Sequence, residues 1–64
     1  MATINGEMKD VRGMTVKEYL MAENYELTRI VVERNEEIVP KAEYENTVIA
    51  DDDTIEIVSF VGGG

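Results

Sequence analysis

The sequence predicts an α+β domain in which one main helix packs on one face of a small mixed sheet of about four to five strands. Three observations carry that prediction. Asn5-Gly6 sits between two short strand-like runs, one stretch near residues 15–24 has helical apolar spacing, and β-branched runs recur at Ile30-Val31-Val32 and from Thr54 onward.

The first element is a hairpin. Ala2-Thr3-Ile4 and Met8 to Val11 flank Asn5-Gly6, and Asn-Gly suits a type I′ turn because both of its central residues need positive φ. Thr15 then offers an N-cap with Glu18 three residues on, and Met14 and Tyr19 stand at the two positions of a hydrophobic staple. Val16, Tyr19 and Leu20 follow at i, i+3 and i+4 and give the helix its apolar stripe, which Asn24 ends. Leu27 to Arg34 reads as a central strand, Asn35-Glu36 as a turn, and Glu37-Ile38-Val39 as a short strand stopped by Pro40, which cannot donate to a ladder.

Lys41 to Asn46 reads as a brief helical turn, Thr47-Val48-Ile49 as a return to the core, and Asp51-Asp52-Asp53 as a solvated turn. Thr54 to Val61 is the last strand, with Ile55 and Ile57 alternating against Thr54 and Glu56. The economical way to bury these stripes is a β-grasp arrangement, with the first and last strands parallel at the centre of the sheet. The expected organisation is a β-grasp domain over residues 1–61 and a glycine tail over 62–64.

Composition narrows function by subtraction. Sixty-four residues allow one small core and no deep active-site cavity. The chain has no Cys and no His, which removes thiol nucleophiles, imidazole bases and the commonest transition-metal ligands. Self-contained catalysis and a resident metal or cofactor are therefore not expected. Fourteen acidic against six basic side chains give a formal charge of −8, which disfavours nucleic acid and anionic membranes and favours a basic protein partner. With no apolar run of signal-peptide or membrane-spanning length, the expected compartment is the cytoplasm.

Two features depart from a bland acidic domain. If Ile55 and Ile57 face the helix, Val58 and Phe60 project from the opposite face of the sheet beside the glycines, where they could form one apolar docking patch. The other is the end of the chain, Gly62-Gly63-Gly64. The Gly64 carboxylate is the one distinctive reactive group left, and it is a poor electrophile until activated, for example as an acyl-adenylate made from ATP by a partner enzyme. A sulfur nucleophile could then displace AMP and leave a thiocarboxylate. Residues without side chains suit this task, because four extended residues beyond Phe60 reach about 13 Å and can thread a narrow channel.

The segments TINGE (3–7), GMTVKEYL (13–20), VVERNEEIVPK (31–41) and DDTIEIVSFVGGG (52–64) together resemble the ThiS family of sulfur carriers, short ubiquitin-like β-grasp chains ending in Gly-Gly. Asn35 to Pro40 followed by Lys41 is the most discriminating stretch; Glu36 departs from it, standing where the family commonly has Gly. The resemblance implies adenylation of Gly64 by an adenylyltransferase of the ubiquitin-activating type (ThiF-like), and sulfur from a persulfide donor such as a cysteine desulfurase. It further implies delivery of the thiocarboxylate to a thiazole synthase (ThiG-like) in thiamin biosynthesis, with Gly63 and Gly64 as the functional end and Gly62 as lead. On this reading ATP is consumed by the partner, no cofactor is bound, and the free protein is a monomer. The alternatives are the small subunit of molybdopterin synthase, a ubiquitin-like protein modifier, or an acidic binding module for which the tail is irrelevant.

Overall fold

The structure, a computed structural model, describes residues 1–60. Five strands form one sheet: β1 (Ala2–Ile4), β2 (Glu7–Lys9), β3 (Ile30–Arg34), β4 (Glu37–Val39) and β5 (Thr54–Ser59), in the spatial order β2-β1-β5-β3-β4. β1 and β5 run parallel at the centre, and the other neighbours pair antiparallel. One helix, α1 (Val16–Ala22), covers one face, and single 3-10 turns occupy Leu27–Arg29 and Lys41–Glu43. This is the expected β-grasp arrangement.

Local chemistry sets the boundaries. Asn5 and Gly6 both have positive φ, +51° and +83°, as a type I′ hairpin requires. The Asn5 side chain also accepts the Ile57 N–H at 2.7 Å, tying the hairpin to β5. Thr15 and Glu18 form a complete capping box: Thr15 Oγ1 accepts the Glu18 N–H at 3.1 Å and Glu18 Oε1 accepts the Thr15 N–H at 2.8 Å. At the other end Asn24 adopts φ +62°. The Tyr25 N–H reaches Leu20 O and the Asn24 N–H reaches Met21 O, the paired bonds of a Schellman motif with Asn in the place glycine usually takes.

The core is a sandwich of α1 on the inner face of the sheet. Ile4, Leu20, Ile30, Ile49, Ile55, Val16 and Val32 are its most deeply buried large side chains, and the expected stripe residue Tyr19 is buried with them. Tyr44 is also buried, while Tyr25 packs partly exposed against the cluster.

Several boundaries differ from the sequence reading. β2 stops at Lys9, because Val11 leaves the ladder to enter the core in a turn closed by the Met14 N–H to Val11 O bond. Residues 27–29 form a 3-10 turn and β3 begins only at Ile30. Ile49 enters the core as expected, but Val48 is exposed, its backbone forming an isolated bridge with Thr15. β5 ends at Ser59.

The largest correction concerns Asp53. It is 6% exposed and accepts hydrogen bonds from Arg34 Nε at 2.8 Å, the Ala50 N–H at 2.9 Å and Asn35 Nδ2 at 3.1 Å. Only Asp51 and Asp52 of the three belong to the solvated turn. Burial by itself would raise the Asp53 carboxyl, but the bonds from Ala50, Arg34 and Asn35 outweigh it and hold the group below the usual range.

Candidate functional site

β5 delivers the chain to its C-terminal segment, so the site begins with what faces outward along it. Ile55 and Ile57 are buried against the helix side, while Glu56 and Val58 are exposed, as the alternation requires. Val58 is 54% and Phe60 50% exposed, so the outward projection expected for both is observed. The Phe60 N–H bonds to Arg29 O at 2.7 Å, which fastens the end of the described chain to the 3-10 turn beside β3. Gly62, Gly63 and Gly64, with Val61, lie outside the described residues.

Register extends the patch beyond the two residues that strand parity alone identifies. Val58 faces Val31 directly, and Ile38 on edge strand β4 faces Glu33 on the same outer side, 67% exposed. Ile38 escaped the sequence reading because Glu37-Ile38-Val39 puts two apolar residues side by side. One must point outward, and only the pairing of Val39 with buried Val32 decides which.

Within the described part, catalytic equipment is sparse. One cleft of about 210 Å³ is lined by Lys17, Leu27, Thr28, Lys41, Ala42, Tyr44 and Glu45, and another, near Asn5, Tyr19 and Tyr25, is about 120 Å³. Both fall below the roughly 300 Å³ at which small-molecule sites begin. Burial pushes the phenols of Tyr19 and Tyr44 up, and the neighbouring Glu23 charge adds to the effect at Tyr19, so neither serves as a base near neutrality. Among the described residues no group of three acidic, Cys or His side chains could hold a metal ion, and no helix is long and apolar enough to cross a membrane. Asp51, the other perturbed carboxylate, is lowered by the Met1 ammonium bonded to it at 2.9 Å, with Arg12 adding its charge at 3.1 Å.

The described domain thus carries an exposed apolar patch on the segment that precedes the glycines in sequence. Comparison with known proteins gives that description a context. A family model described as the ThiS family matches residues 2–64. The sulfur carrier protein ThiS of Bacillus subtilis is 41% identical over 68 aligned residues, and the match spans the whole of both chains. A thiazole synthase of Paramagnetospirillum magneticum is 42% identical over 62 residues; the match takes in 95% of this chain but only 19% of that protein. Among solved structures, the crystal structure of a thiamine biosynthesis protein (ThiS) from Geobacter metallireducens superposes with a TM-score of 0.78 at 28% identity. It covers 98% of this chain and 97% of that one.

Proposed function

The chain belongs to the ThiS family, and from that premise we propose that it is a sulfur carrier protein of thiamine biosynthesis, a co-substrate of other enzymes with no catalysis of its own. A single observation carries the reading: a full-length match to a sulfur carrier protein in a chain whose last strand leads from an exposed apolar patch into Gly62-Gly63-Gly64.

The chemistry follows from the terminus. The Gly64 carboxylate attacks the α-phosphate of ATP in an adenylating partner of the ubiquitin-activating type, pyrophosphate leaves, and the acyl-adenylate forms. The outer sulfur of a persulfide on a donor such as a cysteine desulfurase then displaces AMP and gives an acyl disulfide. A second thiol on the partner side attacks the donor's sulfur in that bond, which releases the thiocarboxylate and leaves a disulfide as the oxidised product. The glycines keep Gly62 to Gly64 slim enough to enter the partner's active site, while residues 1–61 act as the handle that the partner grips through Val58 and Phe60. No cofactor is bound on this reading, and the ATP is the partner's. The cycle runs in the cytoplasm, and the carrier is a monomer between encounters.

A thiazole synthase is the acceptor this reading favours. A protein of that name contains a stretch aligned with 95% of this chain, which supports carrier and synthase working in the same reaction. One matching solved structure is of a thiamine biosynthesis protein and one matching relative is a thiazole synthase, which favours this pathway over the molybdopterin-synthase and protein-modifier alternatives.

Genetic complementation tests the pathway. In cells that lack their own carrier, the full chain restores growth without thiamine and a chain lacking Gly63-Gly64 does not. Rescue by the shortened chain, or a growth defect relieved by molybdenum-cofactor intermediates instead of thiamine, would overturn the assignment.

A further inference from the structure

The outer face of the sheet has an unusual charge arrangement. Cross-strand partners share a face, so the register identifies every strand side chain on it: Met8 and Thr3 paired on β2 and β1, Thr54, Glu56 and Val58 on β5, Val31 and Glu33 on β3, and Ile38 on β4. No Lys or Arg is among them. Glu33 and Glu56 stand directly opposite each other on adjacent strands, and neither forms an ion pair among the described residues.

Two like charges in register destabilise a sheet, and among the described residues no Lys or Arg is ion-paired with either of them. The contrast with Asp53 is direct, because that carboxylate is supplied with Arg34. On one side of the acidic pair the next row, about 7 Å along the strands, is apolar Val58 with Val31, and Phe60 follows beyond it. Ile38 flanks Glu33 across β4.

We infer that the docking partner presents an arginine set in an apolar surround, and that Glu33 and Glu56 together receive its guanidinium while Val31, Val58 and Phe60 take the apolar surface. Cross-strand carboxylates on Cβ atoms about 5 Å apart suit a planar group that donates from several nitrogens, and guanidinium is weakly hydrated enough to enter an apolar surround. The order along β5 also orients the complex. The partner's cation lies on the Glu56 side of the patch and its catalytic centre on the Phe60 side, toward which the chain runs.

The same arrangement selects against other occupants. A second copy docking face to face would oppose four carboxylates with no cation between them, and nucleic acid would meet no positive side chain. The inference rests on the outer face being the docking face, and the following test separates failure of the two.

Binding of the adenylating enzyme to the intact chain is measured at low and high salt for the wild type, Glu33→Gln/Glu56→Gln, Phe60→Ala, and a control, Glu23→Gln/Glu43→Gln, with the same change in net charge away from the face. The outer-face double variant is expected to bind about tenfold more weakly and with a flatter salt dependence. It should also melt about 1 to 5 °C higher, because the repulsion is gone. Weaker binding combined with greater stability is an outcome that a structural role for the pair would not produce. Wild-type affinity in that variant alongside weakened Phe60→Ala would overturn the arginine inference and leave the docking face standing, whereas an equal loss in the control would reduce the effect to net charge and overturn it as well. If neither the outer-face double variant nor Phe60→Ala bound more weakly, the docking face itself would be wrong.

Discussion

The two ends of β5 are built on opposite rules. At its start the buried carboxylate and the backbone beside it are answered from within the molecule: Asp53 is bonded to Arg34, Asn35 and the Ala50 N–H, its own carbonyl accepts the Thr3 N–H, and Asn35 Oδ1 accepts the Thr54 N–H. At its finish the backbone is fastened through Phe60 to Arg29, but the Val58 and Phe60 side chains are left exposed. One strand thus joins a closed anchor to an open handle. The lesson is that a small domain can keep its stabilising polar contacts away from its exposed apolar surface, so that each end can be altered separately.

The largest effect that would test this division is at the anchor. Asp53→Ala removes the acceptor for the Ala50 N–H, Asn35 and Arg34 together and is expected to cost about 2 to 3 kcal/mol in urea unfolding, while the folded fraction still reacts with its partners. The pH profile sharpens the point. The folded-state carboxyl of Asp53 is held low, so its contribution is fully present above the unfolded carboxylate value of about 3.9 and is lost as pH falls through the folded one. Asp53→Asn should therefore lie below the wild type at neutral pH and converge with it in acid. A constant gap between the two down to acid pH would show that the charge of Asp53 is not what stabilises the anchor.

At the handle the expected pattern is reversed. Phe60→Ala should weaken binding of the adenylating enzyme by about 1 to 2 kcal/mol while changing unfolding by less than about 0.5 kcal/mol. Substantial destabilisation with unchanged binding would move Phe60 from the handle to the fold. The smallest effect belongs to the turn beside the anchor. Asn35 and Glu36 both have positive φ, +52° and +72°, and the second central position of a type I′ turn favours glycine. Relief of the left-handed strain exceeds the entropy cost of glycine, so Glu36→Gly is expected to raise stability by about 0.5 kcal/mol, read as a shift in thermal midpoint; a decrease would show that the Glu36 side chain holds the turn in a way the backbone does not reveal.

How much of this was legible in the sequence depended on whether a residue's role is local. The hairpin, the capping box and the outward parity of Val58 and Phe60 follow from short spacings, and all were readable. The 3-10 turn at Leu27–Arg29 was missed because strand propensity does not mark where a ladder partner begins, and β3 starts where Ile30 meets Ser59. Asp53 was hidden among three identical residues, although the same parity that buries Ile55 also turns Asp53 inward. Its partners Arg34 and Asn35 lie 19 and 18 residues away and become neighbours only through the β3–β5 pairing. The Glu33–Glu56 pair and the outward face of Ile38 depend on register in the same way.

On the proposed function, residues 1–60 present Gly64 to a partner for activation and sulfur transfer. The most direct test is the intact mass of the full chain after incubation with ATP, its adenylating enzyme, a persulfide donor and a reducing thiol, beside a chain lacking Gly63-Gly64. The account predicts that the full chain gains the mass of one sulfur-for-oxygen exchange, located at Gly64 by fragmentation, and that the shortened chain gains nothing. An unchanged Gly64 terminus in a mixture shown to be active on another carrier would contradict it.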